Sequence, residues 1–298
     1  MFMNCLKPLV IRKSEKQYFR EEQQYRLGLL PFPPTLYQRV PCGKCELCLS
    51  KKREQWFFRL WNELRQSTSA YFITLTYNDK HLPEDRRVNK KHVDDFLKRF
   101  RKSIEPYKIR YFLVSEYGED FGRPHYHMLL FNFPSCLNIR EYLKKTWTFC
   151  DDYIFDYSEV VGSVTARSIS YVCKYCLSTL DSDDPDSKTF MSASRRPGIG
   201  LNYLTPSMVR YLKEHSDGRA FTNGRFYALP RYYRDKVFDD NEKVKLKSFY
   251  QYEYEQHLEE CIKSLDNPFG QYRDIVQSQQ NERVASKIRK NLKNGYKK

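Results

Sequence analysis

Arg110-Tyr111-Phe112-Leu113-Val114-Ser115-Glu116-Tyr117-Gly118-Glu119-Asp120-Phe121-Gly122-Arg123-Pro124-His125-Tyr126-His127-Met128-Leu129-Leu130-Phe131-Asn132-Phe133 holds the pattern from which the rest of the chain is read. Two apolar runs flank a polar, Gly-containing loop, Tyr117 to Pro124, which is a hairpin signal. Side chains alternate along a strand, so His125 and His127 point to one face and Tyr126 to the other. A turn near Asp120 or Phe121 brings Glu116 almost opposite His125. Two imidazoles and a carboxylate then converge on one patch of sheet, a set that holds a divalent cation with positions left open for substrate. Two histidines on a strand can also be plain polar residues on a solvated face. Against that, the chain has only six His and the adjoining Met128–Phe131 run has the composition of a buried segment. A buried imidazole needs a partner, because unpaired polar burial costs roughly 2–7 kcal/mol.

Outward from the hairpin, residues 71–77 alternate β-branched and apolar side chains and end at Asn78-Asp79, which reads as a strand. Residues 90–104 read as a helix with Val93, Phe96, Leu97, Phe100 and Ile104 on its apolar face. Residues 138–148 suit another helix, 158–166 a fourth strand, and 169–180 a further helix. The order strand–helix–strand–strand–helix–strand is the ferredoxin-like split motif, an α+β fold with an antiparallel sheet and flanking helices. Its first and third strands are central, which puts the His pair in the middle of the sheet.

On helix 169–180, Tyr171 and Tyr175 are four residues apart and share one face, about 6 Å apart along the axis, with Lys174 beside them. They read either as two core tyrosines or, beside a cation-bearing sheet, as two nucleophiles. Cys173 and Cys176 read as packing.

Upstream, residues 1–41 read as irregular, with Pro31, Pro33 and Pro34 interrupting any helix. Cys42, Cys45 and Cys48 follow at two-residue spacings that favour a thiolate metal site over disulfides in a reducing compartment. A closed zinc site needs four ligands, and Cys5 is the nearest spare thiol in sequence. An iron–sulfur run would want a further Cys where Lys52 stands. Three merely buried thiols are the other reading. Residues 50–67 form an amphipathic helix: Trp56, Leu60, Trp61 and Leu64 recur at helical spacing, while Lys51, Lys52, Arg53, Arg59 and Arg65 carry its charge.

A net charge of +15 over 298 residues and an aromatic share of 16% suit nucleic acid, since cations neutralise phosphates and rings stack on unpaired bases. No run of about 18–20 apolar residues occurs and no signal-peptide pattern opens the chain, so a soluble protein of a reducing compartment is expected. Downstream, residues 181–186 are an acidic loop, and Ser194 to Gly200 a basic turn carrying Arg195 and Arg196. Residues 219–233 look like a hairpin around Asn223-Gly224, with Arg225, Arg231 and Arg234 among its aromatics. Residues 241–264 read as a charged helix and the tail to Lys298 as basic, helical or disordered. The expected layout is a Cys-rich segment with the basic helix (1–67), a core (68–182), a basic accessory region (183–240) and a tail (241–298).

These residues together resemble the HUH endonucleases, and within them the replication initiators of microviruses of the gokushovirus type. The resemblance is carried by Pro41-Cys42-Gly43-Lys44-Cys45, Thr74-Leu75-Thr76-Tyr77, Gly122-Arg123-Pro124-His125-Tyr126-His127, Tyr171-Val172-Cys173-Lys174-Tyr175 and Ser194 to Gly200, spanning about residues 40–235. It implies that His125, His127 and Glu116 hold Mg²⁺ or Mn²⁺, that Tyr171 and Tyr175 are nucleophiles, and that Lys174 assists at the phosphate. It implies rolling-circle initiation: nicking of single-stranded DNA at the phage origin, a 5′-phosphotyrosine, a free 3′-OH, and later rejoining. Partners would be that DNA and the host replication machinery, in the cytoplasm of the bacterial host. Lys51, Lys52, Arg53, Arg123, Arg195, Arg196, Arg225 and Arg231 are the candidate DNA contacts. The rival from another class is a non-enzymatic, zinc-stabilised nucleic-acid-binding protein, which leaves the His and Tyr pairs without a role. A non-haem iron oxygenase would use two His and a carboxylate but gives no reason for the charge.

Overall fold

The computed structural model describes residues 5, 9–30, 33–118, 122–175, 189–215, 218–222, 224–246 and 256. In chain order the elements are β1 (Leu9–Arg12), α1 (Glu15–Arg26), β2 (Tyr37–Val40), α2 (Glu46–Gln66), β3 (Ala70–Leu75) and α3 (Lys90–Ser103). Then come β4 (Arg110–Tyr117), β5 (Pro124–Phe131), α4 (Ile139–Thr146), β6 (Val161–Ser163), α5 (Ala166–Tyr175) and β7 (Met191–Ala193). α6 (Pro206–His215), β8 (Arg219–Thr222), β9 (Arg225–Ala228) and α7 (Arg231–Val237) complete the set. The chain divides into two units, Arg53–Val209 with Thr222–Pro230, and Met1–Lys52 with Arg210–Phe221 and Arg231–Lys298.

The first unit is built on a five-stranded sheet of order β6-β3-β5-β4-β7 with antiparallel pairing throughout. Without β7 this is the order of the split motif, and β3 and β5 are central as expected. On one face Ile73, Leu75, Leu113, Met128 and Leu130 pack with Val93, Phe96, Leu97 and Phe100 of α3 and with Leu143 and Trp147. Each such large side chain contributes about 1.5–3 kcal/mol when fully buried, so this face is where the fold is held. It leaves the opposite face to carry polar chemistry. There α5 lies over the sheet with Ile169, Val172 and Cys173 buried, and the Trp56 ring of α2 packs 4.9 Å from Phe112.

Several expectations need correction. Residues 1–41 are not irregular: α1 is a polar helix, capped by the Ser14 side chain accepting from the Gln17 amide, and β1 pairs antiparallel with β2. The stability of α1 comes from Glu, Lys, Gln and Arg propensity and the cap rather than from an apolar stripe, so periodicity does not reveal it. α2 starts at Glu46, four residues earlier than read, and takes Cys48 into its first turn. Its buried positions include Phe58, Leu60, Asn62 and Glu63, while Trp56, Trp61 and Leu64 are half-buried. The fourth strand shrinks to three residues because Thr165 starts α5 early, accepting from the Ser168 amide at 3.2 Å. The hairpin ends at Ala228, and Arg231 and Arg234 belong to α7, directly after Pro230. Residues 240–246 are helical. The remainder of helix 241–264, Cys176, the end of helix 169–180, the acidic loop and the turn residues Glu119–Phe121 lie outside the described residues.

Candidate active site

β5 places His125 and His127 on the α5 face of the sheet, and register does the rest. Glu116 is paired with His125, and His127 sits between Val114 on one side and Thr74 on the other. The Glu116 carboxylate reaches diagonally, its Oε2 2.9 Å from His127 Nε2. Thr74 Oγ1 lies 3.1 Å from His127 Nδ1. Both ring nitrogens are therefore engaged, and the imidazole plane is held by a near-parallel stack on Phe72, 5.6 Å between centroids. Glu116 and His127 are both buried, so neither polar group is left to water, as burial demands.

His125 is held differently. Burial pushes its pKa below the ordinary imidazole value, neighbouring His127 acts in the same direction, and a hydrogen bond to the Arg123 carbonyl and the Glu116 charge oppose it. The ring is thus neutral, the form that ligates metals. Its Nδ1–Cε1 edge lies against Gly118, where an added Cβ would stand 2.9 Å from Cε1. Gly118 is itself closed onto the loop, its amide donating to the Arg123 carbonyl at 2.9 Å. The Arg123 guanidinium binds the Asp79 carboxylate and the Tyr77 carbonyl.

From α5, the Tyr171 hydroxyl donates to Glu116 Oε2 at 3.4 Å, and its ring stands edge-on to His127 at 5.1 Å. Tyr175 follows one turn later, its ring 4.9 Å from Tyr171 and 6.1 Å from His127. Burial holds the Tyr175 phenol well above its ordinary pKa, and bonding to Tyr171 and Glu116 adds to the rise. Lys174 is exposed, with its ammonium 5.4 Å from the Tyr175 ring centroid. The two tyrosines and the His–Glu cluster are one site. Among the described residues, however, His125, His127 and Glu116 do not close into a ligand shell with every donor atom within 4.8 Å of the others. The donor set fits a hard or borderline divalent cation, with one buried carboxylate and two imidazoles on a common face.

In the other unit, Cys5, Cys42, Cys45 and Cys48 bring their sulfurs within 4.8 Å of one another. The Cys5–Cys45 and Cys42–Cys48 separations are 3.8 and 4.0 Å. Four sulfurs about 2.3 Å from a central zinc stand roughly 3.8 Å apart in a tetrahedron, so this cluster fits a structural metal such as zinc. Amides also point at the sulfurs: Cys42 donates to Cys5 Sγ and Cys45 to Cys42 Sγ. Those from Cys45 and Lys44 pull the Cys42 thiol down to about 6, whereas burial pushes Cys48 up to about 12. Gly43, at φ +76, supplies the left-handed turn that folds this stretch back on itself.

The remaining candidate DNA contacts scatter. Arg195 and Arg196 are exposed in the basic turn, Lys51 and Lys52 are half-buried on α2, and Arg231 pairs with Asp235 at 3.3 Å. Arg53 is partly buried with its Nε unpartnered. The Arg225 side chain lies outside the described residues. Thr74 and Gly118 had no assigned role in the sequence reading; only the register that sets Thr74 beside His127, and the crowding of Gly118 against His125, reveal one.

Residues 70–180 match a family model of replication-associated proteins, that of the ORF2 type. The replication-associated protein ORF2 of Spiroplasma virus 4 is 26% identical over 309 residues, covering 89% of this chain and 96% of that protein. The replication-associated protein VP4 of Bdellovibrio phage phiMH2K is 29% identical over 235 residues, covering 70% and 73%. The chain is a relative of the microvirus replication-associated proteins. ORF4 of Chlamydia phage 1 is a further such protein, 27% identical over 265 residues, covering 78% of this chain and 63% of that one. No solved structure matches. The family-model match contains His125, His127, Glu116, Tyr171, Lys174 and Tyr175, and excludes the Cys cluster and the basic turn. Among the described residues no helix is long and apolar enough to cross a membrane.

Proposed function

We propose that this protein is a phage replication initiator that nicks and rejoins single-stranded DNA at the origin, by tyrosine attack at the site between α5 and the sheet. One observation carries the reading: a tyrosine hydroxyl, a buried carboxylate and an imidazole meet on a single rigid face, with a second tyrosine one turn away. His125, His127 and Glu116 would hold Mg²⁺ or Mn²⁺, which when bound neutralises charge on the scissile phosphodiester and polarises it.

The chain's own residues do the rest. A phenol with pKa near 10 is a weak nucleophile at neutral pH, so positioning matters, and α5 supplies it by fixing both rings against His127. The Tyr171 oxygen forms a bond to phosphorus as the bond to the 3′ oxygen breaks. The phenolic proton is lost to Glu116 or water, and a proton is gained by the departing 3′-OH. Lys174, at the exposed edge, faces the anionic backbone. One phosphodiester is exchanged for another, so the linkage is stored and a second tyrosine can act on the next origin while the first junction is resealed. The free 3′-OH would prime the polymerase of the host, in the bacterial cytoplasm.

Incubating the full chain with single-stranded phage origin DNA and Mn²⁺ tests this. A protein–DNA adduct on the 5′ side, stable to denaturant and absent in EDTA, is expected. Adduct yield that ignores EDTA, or no adduct at all, refutes the reading. The zinc-stabilised binding protein of the rival reading predicts DNA retention without any covalent product.

A further inference from the structure

β4 runs from the active site to a second concavity. Glu116 stands near its C-terminal end and Arg110 at its start, six residues apart, which is about 20 Å along a strand. At the Arg110 end lies a groove of 1020 Å³ lined by Arg101, Tyr107, Lys108, Arg195 and Arg196 among others, with Glu105 its one carboxylate. That volume lies at the top of the range of about 300–1,000 Å³ for small-molecule sites. Its polarity is of another kind from an apolar ligand pocket.

The groove is built rather than accidental. Glu63 of α2, fully buried, binds the Arg110 guanidinium and accepts the Gly200 amide at 2.6 Å. Arg110 in turn donates to the Pro197 and Gly198 carbonyls at 2.9 and 3.0 Å, and Arg59 donates to the Ile199 carbonyl at 3.0 Å. The basic turn is thereby clamped from below by its backbone, with Ile199 buried as its anchor. Arg195 and Arg196 are left exposed. Arg101 rests over the Tyr111 ring, 5.2 Å from its centroid. Tyr107 is 49% exposed, its hydroxyl 3.7 Å from Cys136 Sγ.

We propose that this groove is a second, non-catalytic seat for single-stranded DNA, in which Arg195, Arg196, Lys108 and Arg101 meet phosphates and Tyr107 stacks on an unpaired base. An array of cations against one carboxylate selects a polyanion. The exposed ring among them distinguishes an unpaired strand, whose bases offer a free face, from a duplex or an acidic peptide, which do not. A rigid backbone turn presents its two arginines without ordering cost at binding. Naming DNA as the strand rests on the proposed function; the seat itself does not need the cleavage chemistry. Its role is to hold the strand some 20 Å from the cut, about six residues of β4 away, so that the severed end does not leave.

The test measures anisotropy of fluorescein-labelled oligothymidine, about 16 nucleotides long, the upper end of single-strand site sizes, on the full chain without divalent cation. Arg195→Glu/Arg196→Glu is expected to weaken binding at least about tenfold at low salt and to lower the salt slope by about 1.4, two contacts at about 0.7 each. Tyr107→Ala is expected to weaken it by about tenfold with the slope unchanged, the signature of a lost stack. Lys108→Glu repeats the charge effect should the double variant melt early. Wild-type affinity and slope in all three variants overturn the proposal. So does a blunt duplex, or a polyglutamate peptide, that loses as much affinity on charge reversal as oligothymidine does. Adduct formation on origin DNA is scored separately. Loss of oligothymidine binding in the variants when the wild type forms no adduct sinks the cleavage reading and keeps the groove; the converse does the reverse.

Discussion

The Glu116 carboxylate and the His127 imidazole meet diagonally across neighbouring strands, Oε2 2.9 Å from Nε2. That contact requires a proton between them, and a divalent cation has to displace it to use both groups. Mn²⁺ binding should therefore release protons and strengthen with pH. Titration calorimetry in two buffers of different ionisation enthalpy reads the release directly. Glu116→Ala should abolish it and lower Mn²⁺ affinity beyond the roughly 10- to 100-fold typical of mere supporting partners. Unchanged affinity in that variant removes Glu116 from the ligand set.

Gly118 is the residue that makes room for His125. A methyl group there would press to 2.9 Å on the imidazole Cε1, closer than such atoms come without displacement. Gly118→Ala should push the ring out of place, weakening Mn²⁺ binding by about tenfold, the lower end of what lost support costs a metal site. The melting temperature should fall little, because the loop backbone is not in the left-handed region at this position. A variant that binds Mn²⁺ normally shows that the ring moves freely.

How far the chain is readable from sequence follows the range of each interaction. The His125/His127 alternation, the partner strand carrying Glu116 and the apolar stripe of α3 are local patterns, and all stand where the periods of strand and helix put them. Cys5 was identifiable only as a spare thiol; its approach to Cys45 spans 40 residues of sequence. Glu63 looked like one more charge on a solvated helix face. It is fully buried instead, because Arg110, 47 residues on, meets it, and no helical period reveals a partner on a distant strand. The Thr74 contact to His127 was hidden likewise, since it depends on strand register rather than on the strand's own pattern.

The Glu63–Arg110 pair yields a stability prediction. Glu63→Ala leaves a guanidinium with only carbonyl partners and takes the Glu63 carboxylate away from the Gly200 amide, and breaking a buried pair costs about 3–5 kcal/mol. Urea unfolding should show a loss of that order. Glu63→Met/Arg110→Met should lose much less than the two single changes added together, since no buried charge is stranded. Additive losses would mean that the pair is not coupled.

Zinc at the four cysteines predicts about one equivalent per chain by elemental analysis, with EDTA or Cys5→Ser lowering the melting temperature, because structural zinc contributes folding energy directly. Cys5→Ser is the discriminating change, for it spares the Cys42/Cys45/Cys48 run. Reduced, metal-replete protein without zinc contradicts the site.

The two tyrosines share a face but not an environment. Tyr171 is the more exposed and its hydroxyl contacts Glu116 directly, whereas burial raises the Tyr175 phenol pKa, with the Tyr171 contact and Glu116 adding to it. Deprotonation is therefore harder at Tyr175 in the resting protein, and Tyr171 should make the first cut. Tyr171→Phe should lower initial adduct formation on origin DNA by about 10²-fold or more, the scale on which losing a positioned reacting group is felt. Tyr175→Phe should leave that first adduct largely intact. Once Tyr171 carries DNA its oxygen no longer contacts Glu116 as a donor, and Tyr175 becomes the remaining phenol beside the same carboxylate. Tyr175→Phe should therefore stall after one cut, accumulating adduct without releasing closed circles. Tyr171→Phe/Tyr175→Phe should bind oligothymidine and form no adduct. Complete rounds of cutting and rejoining by Tyr175→Phe would make Tyr175 a core residue and leave a single-nucleophile mechanism.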